Sequence, residues 1–178
     1  LLYSTNDKLY IGTYDGLGCL DIPTMDFVST YKTNRLLQGD VIYALYEDLH
    51  HNIWVGTSQG LKQLNPQTQK VRKYTISDGL PSNSISAIEG DANGNLWIST
   101  NFGISRFNPS TQTFVNFYAS DGLQGNEFSK GVSFASTKGE IIFGSTSGIT
   151  YFNPGEITSP NKKPEIRITD FYVHDKAC

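Results

Sequence analysis

The chain has 178 residues, of which 12% are aromatic, and a formal net charge of −3. Its 14 basic and 17 acidic residues form no basic stripe of the kind that nucleic-acid binding needs. No run of about 18 apolar residues is present that could cross a membrane. The two cysteines, Cys19 and Cys178, are too few for a disulfide scaffold and lack metal-ligand spacing.

An internal repeat runs along the chain. Residues 41–83 match residues 84–126 at 16 positions with an offset of 43, and flanking copies follow at offsets of 44 and 45. Short β-rich runs separated by Gly, Asn, Asp and Pro fill each copy, and four strands in about 43 residues are typical of a propeller blade. We therefore predict an all-β chain of about four propeller blades over residues 1–157, divided as 1–40, 41–84, 85–130 and 131–157.

The third copy shows the expected strands most clearly. They are separated by turn residues such as Asp91-Ala92-Asn93-Gly94. The predicted strands are 85–90, 96–100, 104–108 and 114–118.

Several repeated residues have structural explanations. Glycines recur in the turn between the second and third strands, where a positive φ is expected. An aromatic or aliphatic residue recurs in the second strand, whose two faces should be covered by neighbouring blades. The predicted turn glycines are Gly60, Gly103 and Gly148, and the predicted inter-blade core residues are Tyr10, Trp54, Trp97 and Ile142.

The two ends of the chain differ from the repeat. Leu1 aligns with Leu45 in the middle of a first strand, and the fourth copy has only three predicted strands, so we expect a piece of a longer protein. Residues 158–164 are rich in Pro, Ser, Asn and Lys and are expected to be a linker. Residues 165–178 open with an alternating strand that does not match the repeat, and they predict the start of another domain.

The motif Asp-x-x-x-Asn-Leu-Trp-Ile-(Gly/Ser)-Thr-x-x-Gly-(Leu/Ile)-x-x-(Leu/Phe)-Asn-Pro resembles the regulator-propeller repeat of Bacteroides-type hybrid two-component systems. Residues 48–66 and 91–109 carry it, and residues 7–22 and 138–154 carry it more loosely. Residues 164–173 resemble the start of the immunoglobulin-like β-sandwich that follows the propellers in that family.

The resemblance implies a periplasmic sensor region of a larger inner-membrane protein with a histidine kinase and a response regulator. Members of the family sense breakdown products of polysaccharides and regulate transcription. The expected ligand is therefore an oligosaccharide. No cofactor is expected, and this chain is expected to contact no nucleic acid and to contain no membrane segment. Open blade faces also lead us to expect a homodimer, or closure into a small strained ring.

No catalytic or metal constellation stands out in the sequence. His50-His51 falls in a predicted first-to-second-strand turn, where a solvated turn is a better interpretation than a metal site. Asp78 and Asp121 recur in equivalent copies before glycine, as turn residues do. A streptogramin-lyase-like enzyme would need histidines in the second-to-third or fourth-to-first loops, and none is predicted there.

Ligand contacts are expected where the loops vary and the frame repeats. The second-to-third and fourth-to-first loops should share one face of a propeller. Tyr14 and Phe102 could offer apolar faces to sugar rings, and polar side chains could bond hydroxyls. The polar candidates are Gln59, Asn101, Gln124, Asn126 and Glu127. A ligand sensor is the first hypothesis, a protein-interaction scaffold is the second, and the lyase-like enzyme is the third.

Overall fold

A computed structural model describes residues 1–28 and 37–157, together with the backbone of residues 172–173 and 176–177. Three four-stranded antiparallel sheets and one three-stranded sheet follow one another, each made of consecutive strands. The first contains β1 (Leu2–Tyr3), β2 (Lys8–Thr13), β3 (Gly16–Asp21) and β4 (Asp26–Phe27). The second contains β5 (Ile42–Glu47), β6 (Ile53–Thr57), β7 (Gly60–Leu64) and β8 (Val71–Tyr74).

The third sheet contains β9 (Ile85–Gly90), β10 (Leu96–Thr100), β11 (Ile104–Asn108) and β12 (Thr113–Phe117). The fourth contains β13 (Phe128–Ala135), β14 (Ile141–Ser145) and β15 (Gly148–Phe152). The predicted all-β fold is confirmed. The last strand of the third sheet lies one residue earlier than predicted, because Thr113 already pairs with Asn108.

The fourth sheet begins three residues before the predicted blade boundary at 131. Phe128 already pairs with Ser145 of β14. Its carbonyl also accepts a hydrogen bond from the Ser86 hydroxyl at 2.9 Å, which joins it to the neighbouring inner strand.

The predicted linker and most of the predicted final strand lie outside the described residues. Within that region the structure describes β16 (Tyr172–Val173) paired with β17 (Lys176–Ala177). In the described part of the chain, no helix has the length and apolar character needed to span a membrane.

Three apolar clusters fill the spaces between successive sheets. Tyr10 packs in the cluster between the first and second sheets, Trp54 in the cluster between the second and third, and Trp97 in the cluster between the third and fourth. All three side chains are buried. Ile142, at the equivalent place in the fourth sheet, is only half-buried, because no described sheet covers that face.

Glycine in the second strand lets neighbouring sheets approach closely. A Cβ on Gly56 would lie 2.6 Å from Cγ2 of Ile85, and one on Gly12 would lie 2.6 Å from Cγ2 of Ile42. Both contacts join one sheet to the innermost strand of the next. The inner strands β5, β9 and β13 contact one another, as expected around a propeller axis.

Candidate functional site

The sheets have two chemically different ends. One end, here called the Asp–Trp end, carries the turns between the first and second strands. The other, the loop end, carries the turns between the second and third strands and the long loops that join successive sheets. The alternating direction of the strands places all connections of one kind at the same end.

The Asp–Trp end is held by one network in two copies. The Asp48 carboxylate accepts a hydrogen bond from Nε1 of Trp54 at 2.7 Å and from the backbone N–H of Asn52 at 2.9 Å. Asp91 accepts the same bonds from Trp97 and Asn95, each at 2.9 Å. The carboxylate therefore closes the turn and satisfies the indole N–H of a buried tryptophan at once.

The loop end has its own repeated frame. Thr57 Oγ1 donates to the carbonyl of Gly60 at 2.9 Å and accepts from the backbone N–H of Gln59 at 3.0 Å. Thr13, Thr100 and Ser145 make the equivalent pair of bonds in the other three sheets. The turn glycines have φ values of 132° at Gly60, 95° at Gly103 and 135° at Gly148, in the left-handed region.

The long loops at the loop end are also fixed by repeated side chains. Asp78 accepts from the backbone N–H of Thr75 at 2.8 Å, and Asp121 accepts from that of Tyr118 at 2.8 Å. Each closes a short 3-10 turn. The two aspartates therefore serve loop structure, as expected from their repetition.

Asn126 belongs to this structural set. Its side-chain oxygen accepts from the backbone N–H of Ala119 at 2.7 Å. Asn83, its equivalent in the second copy, accepts from the backbone N–H of Ile76 at 2.9 Å. The sequence contained the signal, because Asn83 and Asn126 match at the same offset of 43 as the other repeated residues.

The other predicted ligand residues project from this frame. Tyr14 is 87% exposed and Phe102 is 53% exposed, with the Phe102 ring centroid 5.6 Å from that of Tyr118. Asn101 contacts the Ser82 hydroxyl of the adjoining loop. The remaining candidates Gln59, Gln124 and Glu127 are exposed at the same end.

Adjacent loops are joined by backbone bonds, which brings their variable side chains together. The backbone N–H of Asn101 donates to the carbonyl of Ser84 at 3.2 Å. The N–H of Gly103 donates to the carbonyl of Asn126 at 2.6 Å. The second-to-third turn of the third sheet is thus tied to the long loops on both sides of it, and it offers Asn101 and Phe102 beside them.

Between the first and second sheets, a buried ion pair lies near the loop end. Nζ of Lys62 is 2.7 Å from Oδ2 of Asp40, and the lysine side chain is almost fully buried. The third sheet has Ser105 at the equivalent position, and its hydroxyl donates to Asn116 at 2.7 Å. The pair is specific to the second copy and holds residues 40 and 62 in place.

His50 and His51 lie at the opposite end. Nδ1 of His51 is 3.1 Å from Oε1 of Glu47 and 2.9 Å from the Thr5 hydroxyl, so it joins the first two sheets. Burial raises the pKa of Glu47, but hydrogen bonds from Thr5, His51 and Ser4 outweigh it and leave that pKa below its usual value. Among the described residues, no group of three His, Cys, Asp or Glu side chains could hold a metal ion.

The comparisons with known proteins agree with the predicted resemblance. The family model described as two component regulator propeller matches residues 79–102, which confirms the resemblance of the repeat. The chain is 28% identical over 136 residues to histidine kinase P4 of Formosa agariphila, covering 76% of this chain. It spans only 7% of the length of that relative.

Two solved structures show the same fold. The extracellular domain of BT4673, a putative hybrid two component system from B. thetaiotaomicron, has a TM-score of 0.66 and 24% identity, over 83% of this chain and 20% of that chain. Virginiamycin B lyase from Staphylococcus aureus has a TM-score of 0.61 and 18% identity, over 90% of this chain and 56% of that chain. At these identities the likeness concerns the propeller fold alone.

Proposed function

We propose that this chain is part of the periplasmic ligand-sensing region of a hybrid two-component sensor, and that its loop end binds an oligosaccharide released from a polysaccharide. The proposal rests on the second-to-third turns, whose backbone is held in the same way in every sheet while their exposed side chains vary. All four second-to-third turns share the same hydroxyl and glycine bonds. The exposed residues on them differ from copy to copy.

The exposed side chains suit a sugar ligand. Tyr14 and Phe102 present aromatic surface that could pack against the apolar faces of pyranose rings. Gln59, Gln124 and Glu127 supply the donors and acceptors that hydroxyl groups need. Asn101, whose side-chain oxygen already accepts from the Ser82 hydroxyl, offers the N–H groups of its side-chain amide. Asn126 contributes to this site by shaping the loop rather than through its side-chain oxygen, which is already bonded.

The histidine kinase relative and the matched repeat support placing this binding step in a signalling protein. In the whole protein, a ligand that binds one arrangement of the sensor more tightly than another would shift the population toward that arrangement. The kinase and response-regulator parts would pass this shift to transcription. The proposal assigns no catalytic step to the present chain.

A binding experiment tests this function. The 178-residue chain, with Tyr14→Ala and Phe102→Ala variants, is screened against a panel of neutral and acidic oligosaccharides by calorimetry. We expect binding that weakens roughly tenfold in each variant, since each loses aromatic contact area. Leu49→Ala is the matched control, because Leu49 is an apolar residue 74% exposed at the Asp–Trp end. Unchanged binding by the two loop-end variants would contradict the proposal.

We also propose that two copies associate through their open sheet faces. Val132 and Ile149 of the fourth sheet are exposed, whereas their equivalents Ala87 and Ile104 in the third sheet are buried against the next sheet. The first sheet leaves Phe27 exposed, although its equivalent Phe114 packs against the second sheet. The fourth sheet of one copy and the first sheet of another therefore present the two kinds of face that meet inside the chain.

Light scattering tests this association. Phe134→Ser changes a side chain that is 59% exposed on the open face of the fourth sheet, and we expect it to shift the chain from dimer toward monomer. Leu49→Ser is the control on a surface that no sheet is expected to cover. A wild-type chain that stays monomeric at high concentration would contradict this proposal and leave the sugar-binding proposal unaffected.

A further inference from the structure

The inner strand of the fourth sheet contains an insertion that the other copies lack. Four residues of β13, 129–132, stand opposite Gly144 alone, so three residues are unpaired. In β9 the corresponding register shift leaves only Ser86 without a cross-strand partner in β10. The fourth copy thus has two additional residues, which is why the repeat offset rises from 43 to 45.

The insertion carries Lys130 toward a tyrosine of another sheet. Nζ of Lys130 lies 3.7 Å from the ring centroid of Tyr43, in the inner strand of the second sheet. Tyr43 is itself the extra residue of the bulge in β5. Both residues lie near the start of their strands, just after the long loops. The pair therefore lies at the loop end, close to the propeller axis.

The charge of Lys130 is not neutralised by any described carboxylate. The described lysine that has an acidic partner is Lys62, which is buried against Asp40. Lys130 is exposed, and its ammonium rests on the face of an aromatic ring. A cation–π contact at an exposed site is weak, whereas hydrogen bonds between an ammonium and an anion are among the stronger interactions in proteins.

We propose that Tyr43 and Lys130 form a subsite for an acidic sugar at the loop end. The ammonium would move from the tyrosine ring to a carboxylate or sulfate of the ligand, and the freed ring would pack against the sugar. This inference rests on the proposed oligosaccharide-binding function and specifies the chemistry of one unit of the ligand. The exposed lysine side chain can make this movement, since no described carboxylate holds its ammonium.

Three galactose-based probes test the subsite by calorimetry with the 178-residue chain. Tetragalacturonate carries carboxylates, a carrageenan tetrasaccharide carries sulfates, and galactotetraose is neutral. We expect the chain to bind at least one acidic probe about tenfold more tightly than galactotetraose, and this preference to fall as sodium chloride rises from low to high concentration. The acidic probe that binds identifies whether carboxylate or sulfate is recognised.

Variants separate the subsite from the rest of the loop end. Lys130→Gln should remove the preference for the acidic probe over galactotetraose and its salt dependence, and Lys130→Arg should retain both the preference and the salt dependence. Lys138→Gln is the matched control, because Lys138 is an exposed lysine in the turn at the opposite end of the same sheet. Thermal denaturation checks that each variant is folded.

The outcomes distinguish the two proposals. Equal binding of neutral and acidic probes, or an acidic preference that survives in Lys130→Gln, would overturn the subsite and leave oligosaccharide binding intact. Binding of none of the three probes would count against both proposals. A preference lost in Lys130→Gln and kept in Lys138→Gln supports the subsite.

Discussion

The two ends of the sheets are built from the same repeat but use it differently. At the Asp–Trp end, the repeated side chains are bonded to the core, since Asp48 and Asp91 accept hydrogen bonds from the indoles of Trp54 and Trp97. At the loop end, repetition is confined to residues that shape the turns, and the side chains pointing outward change from copy to copy. Repeated residues therefore hold the blades together, and the variable exposed residues are available to bind a ligand.

Lys130 and Tyr43 extend this comparison to the propeller axis. The second and third sheets share one register between their first and second strands. The fourth sheet departs from that register by two residues near the loop end. This insertion adds Lys130 to the inner strand without disturbing the rest of the sheet, because the pairing with β14 resumes at Ser133. The loop end therefore varies both in its turns and in one inner strand.

The largest expected effect comes from a tryptophan at the centre of a sheet interface. Trp54→Ala should lower the free energy of unfolding by about 3–5 kcal/mol, because it leaves a cavity in the cluster shared by the second and third sheets. Urea denaturation measures the loss. Tyr14→Ala, at an exposed loop-end residue, should change stability by less than about 0.5 kcal/mol. Similar losses in both variants would contradict the division between the ends.

A smaller effect is expected from the carboxylate that binds the second tryptophan. Asp91→Ala should cost about 1–3 kcal/mol, because the Nε1–H of Trp97 and the turn N–H groups lose their acceptor. Asp15→Ala at the loop end is the comparison, since no described side-chain bond to its carboxylate is present. Urea denaturation should give a clearly lower free energy of unfolding for Asp91→Ala than for Asp15→Ala. Equal values would show that the Asp–Trp network contributes little to stability.

Two turn glycines at the loop end provide a matched pair. Gly103→Ala should be more destabilising than Gly148→Ala by about 1 kcal/mol or more. Both have a positive φ, but a Cβ on Gly103 would lie 2.5 Å from the carbonyl oxygen of Phe117, whereas one on Gly148 meets no atom within 4 Å. Thermal and urea denaturation measure the difference. Equal costs would mean that the backbone conformation, and not the close approach, governs these turns.

The pH dependence of stability distinguishes two glutamates on the inner strands. Glu47 has a lowered pKa despite its burial, because Thr5 and His51 hydrogen bond to it. Its contribution should be present above its ordinary pKa of about 4.3 and be lost as the pH falls through the lower folded value. Burial raises the pKa of Glu89, only partly offset by a bond from Ser133, so its ionisation should reduce stability as the pH rises through the folded value.

Urea denaturation of Glu47→Gln and Glu89→Gln from pH 3 to 7 checks both signs. At pH 7 the first substitution should lower the free energy of unfolding and the second should raise it. Both differences should diminish toward acid pH, where the wild-type carboxyls are protonated in the folded and unfolded states. Two substitutions that lower stability equally at pH 7 would contradict the assigned environments.

Much of the fold followed from the sequence because spacing alone identifies a blade. Three strands of the third sheet, 85–90, 96–100 and 104–108, have the bounds that the turn residues predict. The sequence does not predict the bond between Asp91 and Trp97, since the two residues lie six positions apart and only the hairpin brings them together. Asn126 is among the predicted ligand residues, although its repetition at Asn83 indicates the structural role that its side-chain oxygen has in the loop.

The candidate site was less accessible to sequence analysis. Tyr14 and Phe102 could be placed on turns because the repeat fixes the turns. The sequence does not indicate Lys130, since its contact with Tyr43 joins residues 87 positions apart and depends on a bulge. The change of offset from 43 to 45 marked the insertion, but only the pairing of β13 with β14 shows where it lies.

The most direct test of the account is a map of where an oligosaccharide binds. Backbone amide shifts of the 178-residue chain would be followed by NMR during titration with the tightest-binding member of the oligosaccharide panel. The account predicts that the largest changes fall at the loop end, in residues 14–15, 58–59, 101–102 and 124–131. Changes concentrated at the Asp–Trp end, in residues 48–52 and 91–95, would contradict it.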